Sequence, residues 1–141
     1  IGLLRDLKDN LRCAVRGRRV LLMGAGGASY GVMEPLLREQ PLQLVVVNRT
    51  PDKARRLAER FGTRAGMPQG AVSALGYADL GAASFDLVIN ATSAGLGDAM
   101  PPLPQGVFAP GALAYDMVYG RTTPFMAFAQ AQGARAADGT G

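Results

Sequence analysis

The 141 residues include no histidine and no tryptophan, only one cysteine, and aromatics at just 6%. Without an imidazole, the chain's own residues cannot build HExxH zinc sites, Ser-His-Asp triads or imidazole acid–base chemistry. The lone Cys13 rules out an internal disulfide and a CxxC metal pair, and on an amphipathic segment it reads as a packed thiol. A reducing, cytoplasmic setting and no metal are the expectations. Long apolar runs are missing too. VLLMGAGGA and LVVV fall far short of the ~20 residues a membrane helix needs, so neither a spanning segment nor a signal peptide is expected.

Basic residues are scarce in one half. Residues 1–64 hold 13 Lys/Arg against 6 acids and residues 65–141 hold 2 against 5, so the halves carry +7 and −3. The basic side chains fall in helical patterns without the interleaved aromatics of a base-stacking platform. That favours a solvated face or a small anionic ligand over nucleic acid. What is abundant, 48% hydrophobic residues and 19 glycines with 18% charged, belongs to a globular chain long enough for one core. Because it opens on Ile1 and closes on AADGTG, the chain reads as a piece of a longer polypeptide.

Leu3, Leu4, Leu7, Leu11 and Val15 recur at three-to-four spacing, which predicts an amphipathic connecting helix over residues 1–15. Residues 18–23 form a short apolar run that stops at Gly24, and residues 42–48 a nearly continuous β-branched run of the kind buried on both faces of a parallel sheet. Helical patterns follow each, over 28–39 and from Thr50-Pro51 to Gly62. Residues 63–84 are weakly patterned and read as a short third strand and an irregular helix. Residues 86–92 and 112–118 predict two more buried strands, separated by an ordered Pro/Gly-rich loop. A helix over 124–132 and a last short strand in ARAAD complete the alternation. The expected class is therefore α/β: a doubly wound, Rossmann-like, mostly parallel sheet with helices on both faces.

GAGGASYG, at 24–31, follows a predicted strand and opens a predicted helix, the context of a dinucleotide fingerprint. Gly24 permits the tight turn, Gly26 lets the backbone approach a pyrophosphate, and the helix N-terminus receives it. Ser29 stands where the fingerprint carries Gly or Ala. At the end of the second strand an NAD site usually places an acid; this chain has Asn48-Arg49-Thr50, with Lys53 one turn on. Arg49 can stack on adenine or pair with a 2′-phosphate, so NADP is the preferred cofactor. Thr50 also suits a plain helix cap, and Arg55, Arg56 and Arg60 a solvated face. Asn90, Thr92 and Ser93 stand where open parallel sheets put ligands, and equally where turns need polar residues. Asp116, in an apolar strand, reads as a structural tether.

GAGGAS, NRTPDKA, INATSAG, YDMVYGRTTPF and ADGTG occur in the order and spacing of shikimate dehydrogenase, and the chain resembles that family's cofactor domain over nearly its whole length. The resemblance implies that Gly24, Ala25, Gly26, Gly27 and Ala28 hold the pyrophosphate. It places Asn48, Arg49, Thr50 and Lys53 around the 2′-phosphate, and Thr92 and Ser93 along the groove. Met117 and Gly139 would lie near the nicotinamide, and Tyr119 near the substrate carboxylate. It further implies a connecting segment over 1–15 from a substrate domain outside this chain, and an NADP-binding domain over 16–141, truncated at its end. The family's acid–base Lys and Asp belong to that substrate domain. The implied reaction is NADPH-dependent reduction of 3-dehydroshikimate to shikimate, in aromatic amino acid biosynthesis. The alternatives are a quinate- or NAD-preferring paralogue, the nucleotide domain of glutamyl-tRNA reductase, and a non-catalytic NADP-binding module. GAGGA in place of a GAGEM-like turn, together with YDMVY, argues against glutamyl-tRNA reductase.

Overall fold

A computed structural model describes residues 13–62, 71–92, 102–117 and 123–138, together with Leu3 and Leu7. In chain order the elements are β1 (Arg19–Met23), α1 (Gly27–Arg38), β2 (Gln43–Val47), α2 (Pro51–Gly62), β3 (Val72–Leu75), a 3-10 turn (Tyr77–Asp79), β4 (Phe85–Asn90), β5 (Phe108–Asp116), α3 (Pro124–Ala131) and β6 (Arg135–Asp138). The strands form one sheet in the order β3-β2-β1-β4-β5-β6, and every pairing is parallel. The fold is Rossmann-like. The chain winds outward from β1 to β3, then returns to place β4 on β1's other side, and that reversal opens a crevice beyond the strand ends.

Strands covered on both faces are apolar at nearly every position, which is why RVLLM and QLVVV carry no alternation. The pleat sends Val20, Leu22, Leu44, Val46, Leu87 and Ile89 to one face, against Met33, Leu36 and Leu37 of α1 and Leu57 and Phe61 of α2. Leu21, Met23, Val45, Val47 and Val88 go to the other, against Phe125, Met126 and Ala129 of α3. Helices thus cover both faces, as the sequence indicates.

Two expectations shift. Most of the 1–15 helix lies outside the described residues, although Leu3 and Leu7 are buried in the first core cluster. Residues 13–15 are not helical, because the chain is already turning into β1: Arg18 N–H donates to Val15 O at 3.0 Å, with Gly17 at φ +71°. The fifth strand starts at Phe108 rather than at residue 112. Pro110 lacks an N–H and Gly111 has φ +76°, and the pairing register with β4 slips between Phe85 and Leu87. Such a bulge carries turn-like residues within a strand, so the sequence there reads as loop. β3, in turn, is a short edge strand whose four residues are all partly exposed, which explains its weak pattern. Cys13 packs half-buried against the first cluster, and burial pushes its thiol pKa up. No helix among the described residues is long and apolar enough to cross a membrane.

Candidate nucleotide-binding cleft

Beyond Met23 the chain must turn at once, in contact with two neighbouring strands. Gly24 does so at φ +105°, its N–H donating to Val47 O at 2.8 Å. A Cβ at this position would stand 3.0 Å from Ala91 O and 3.2 Å from Thr92 Cα, both backbone atoms. The turn is therefore seated on the end of β4, where Ala91 N–H reaches Met23 O at 2.9 Å. Ser29, the departure from the fingerprint, is fully buried and donates its hydroxyl to Gly24 O at 2.7 Å, locking turn to helix. Glycine or alanine could not make that bond.

Gly26 is the N-cap of α1. No side chain caps the helix, and its first turn carries no acid. The helix's leading N–H groups are thus left to a ligand, with the macrodipole favouring an anion. Cβ atoms at Gly26 and Gly27 would meet nothing within 4 Å. These residues form one wall of a cleft of about 550 Å³, which Gly24, Ala25 and Ala28 also line.

A second part of the lining is basic. Asn48, Arg49 and Lys53 line it, and Asn48 Nδ2 donates to Thr50 O at 3.2 Å, holding the turn after β2. Arg49 and Lys53 are exposed, and no ion pair holds either one among the described residues. Neighbouring cations are engaged elsewhere. Arg55 pairs with Asp52 and Arg38 with Glu34 on exposed helix faces, while Arg60 lies 5.5 Å over the Tyr30 ring. No carboxylate lines the cleft among the described residues.

A polar network holds the third wall. Thr92, which lines the cleft beside Ala91, donates its N–H and hydroxyl to Asn90 Oδ1 at 3.1 and 2.7 Å. Asn90 Nδ2 in turn donates to Asp116 Oδ2 at 3.2 Å. The same carboxylate oxygen accepts the Thr123 hydroxyl at 2.7 Å, and Thr123 caps α3 by accepting from Met126 N at 3.2 Å. Asp116, 1% exposed, is the tether its sequence position suggested. It binds the ends of β4 and β5 to the start of α3.

Nine sequence-indicated residues thus meet in one cleft: the five from Gly24 to Ala28, with Asn48, Arg49, Lys53 and Thr92. Thr50 is exposed beside it and not among its lining residues. Met117 is half-buried, donates its N–H to Asn90 O at 3.1 Å and packs against the core without lining the cleft. Ser93, Tyr119 and Gly139 lie outside the described residues. Sequence reasoning missed Ala91 and Tyr77. Tyr77 follows β3 and was hidden by that strand's weak pattern; a strand-end rule applied there is the signal that finds it. Burial pushes the Tyr77 phenol up to about 12, against an opposing pull from Arg49.

A family model described as shikimate / quinate 5-dehydrogenase matches residues 6–96. The chain is 53% identical over 142 residues to a shikimate dehydrogenase (NADP(+)) of Dechloromonas aromatica, covering 99% of this chain and 50% of that one. It is 54% identical to the enzyme of the same name from Nitrosospira multiformis, with the same coverage. The crystal structure of an Ael1 enzyme from Pseudomonas putida superposes with a TM-score of 0.87 at 44% identity, covering 98% of this chain and 49% of that one. The chain spans about half the length of the curated relatives it matches.

Proposed function

Because the chain belongs to the shikimate / quinate 5-dehydrogenase family, we propose that it is the NADP(H)-binding portion of a dehydrogenase interconverting 3-dehydroshikimate and shikimate. The observation that carries this reading is the pairing, in one cleft, of an uncapped helix N-terminus with two cations that, among the described residues, have no ion pair and no lining carboxylate beside them. An adenosine 2′-phosphate suits that wall, where an acid would repel it. The names of the relatives at 53% and 54% identity, which specify shikimate and NADP(+), favour shikimate over quinate and NADP over NAD.

The residues present fit the nucleotide. At Gly26 the missing Cβ leaves the backbone open to a pyrophosphate, which the first-turn N–H groups of α1 would bind. Arg49 and Lys53 would hold the 2′-phosphate. Thr92, oriented by Asn90, would line the groove toward the nicotinamide, with Ser93, Met117 and Gly139 as further contacts and Tyr119 near the substrate. When bound, the nicotinamide supplies the hydride. The chain's part is to hold and orient it, and having no imidazole it offers no His as proton partner. In this reading the proton is handled by a Lys and an Asp of a substrate-binding portion outside these residues.

Titrating the 141-residue chain with NADPH and NADH at fixed ionic strength tests the proposal. NADPH should bind at least tenfold tighter, since one charge-assisted contact contributes about 1.5–3 kcal/mol. Equal affinities overturn the NADP assignment.

A further inference from the structure

We propose that the Tyr77 ring is the stacking surface for the adenine of the bound nucleotide, leaving Arg49 and Lys53 to the 2′-phosphate. The inference rests on reading the cleft as an NADP site and divides the work within it. From sequence alone Arg49 has two candidate roles, stacking on the purine and pairing with the phosphate. The fold brings an aromatic ring to the same end of the cleft. Tyr77 begins the 3-10 turn directly after β3, the strand beside β2, and Arg49 stands just beyond the end of β2.

Tyr77 is the sole aromatic among the described residues lining the cleft. Its placement is held by its surroundings. Part of the ring packs against the core cluster on the α3 face of the sheet, and Leu80, which ends the turn, is buried at 2% exposure. Tyr77 O accepts from Leu80 N at 3.3 Å, and Asp79 N donates to Gly76 O at 3.0 Å. A Cβ at Gly76 would touch Pro51 at 3.4 Å, so the turn lies against the start of α2, two residues from Arg49. A ring fixed on one side by the core and open to a cleft on the other loses little entropy when a purine stacks on it. The phenol stays protonated across working pH, so no anion faces the phosphate.

Calorimetric titration of ADP-ribose and 2′-phospho-ADP-ribose into the wild-type chain and into Tyr77→Ala, Tyr77→Phe and Arg49→Ala separates the roles. Tyr77→Ala should weaken both ligands by the same factor, about tenfold, as loss of one aromatic stack does. Tyr77→Phe should stay within about twofold of wild type, because it keeps the ring. Arg49→Ala should weaken only the phosphorylated ligand. The inference is overturned if Tyr77→Ala leaves both affinities unchanged, or if Arg49→Ala weakens both ligands equally. A wild type that binds the two ligands equally overturns the NADP reading alone, and the Tyr77→Ala loss still decides the adenine contact. Should Tyr77→Ala fail to fold, tyrosine emission decides, since the chain has 4 Tyr and no Trp. ADP-ribose should quench wild type more than Tyr77→Phe, and equal quenching overturns the inference.

Discussion

Gly24 and Gly26 sit two residues apart in one turn, yet replacing each with alanine should fail in different ways. At Gly24 the backbone has φ +105°, which costs an L-residue about 1–3 kcal/mol. The added methyl meets Ala91 O at 3.0 Å and Ala91 C at 3.1 Å. No rotamer relieves that clash, because the obstacle is the backbone of a strand end hydrogen-bonded to Met23. Overpacking of this kind adds about 1 kcal/mol or more. Gly24→Ala should therefore destabilise the chain by roughly 2–4 kcal/mol and lower the urea midpoint by about 1–2 M. At Gly26 φ is −95° and a Cβ meets nothing within 4 Å. Only the poorer N-cap preference of alanine remains, about 0.5–1 kcal/mol. The methyl instead occupies space proposed for the pyrophosphate, so Gly26→Ala should lose at least tenfold in NADPH affinity by calorimetry while its urea curve stays near wild type. If Gly26→Ala unfolds as early as Gly24→Ala, or binds NADPH normally, the division of the turn into a seat and a cradle is wrong.

Arg49→Ala should weaken NADPH by about tenfold or more and leave NADH unchanged. Arg60→Ala, which removes a cation stacked on Tyr30 and Phe61, should alter neither; a cofactor titration on both variants decides. Thr123→Val removes the α3 cap and a hydrogen bond to the Asp116 carboxylate, and should cost about 2–3 kcal/mol in urea unfolding. Thr123→Ser should recover most of that loss, and equal stability of Val and Ser variants would refute the tether. For Tyr77, the fold raises the phenol pKa from its ordinary value near 10 to about 12 and so favours the protonated form. Its contribution to stability is complete below about pH 10 and is lost as pH rises from about 10 to about 12. Tyrosinate absorbance of the folded chain should show one tyrosine fewer titrating near pH 12 in Tyr77→Phe than in wild type.

Wherever a local rule suffices, the residues declared the structure themselves. β1 and β2 are legible as RVLLM and QLVVV because strands buried on both faces must be apolar throughout, whatever they pair with. The GAGGA turn is legible because positive φ and close backbone approach both select glycine, and the missing acid at Asn48-Arg49-Thr50 is legible because the 2′-phosphate proposed there and a carboxylate would repel. The tertiary structure decided what depends on neighbours. β3 is hard to read because an edge strand pairs on one side only and tolerates exposure, and β5 begins early because a bulge admits Pro110 and Gly111 into a ladder. Ser29 looks like a lapse in the fingerprint until its hydroxyl is seen on Gly24 O. Asn90 meets Asp116 across 26 residues of chain, and Tyr77 reaches the cleft of Arg49 across 28. Such contacts follow from strand order: β4 lies between β1 and β5, and β3 beside β2, an arrangement set by burial and crossover handedness over the whole sheet that no local window contains.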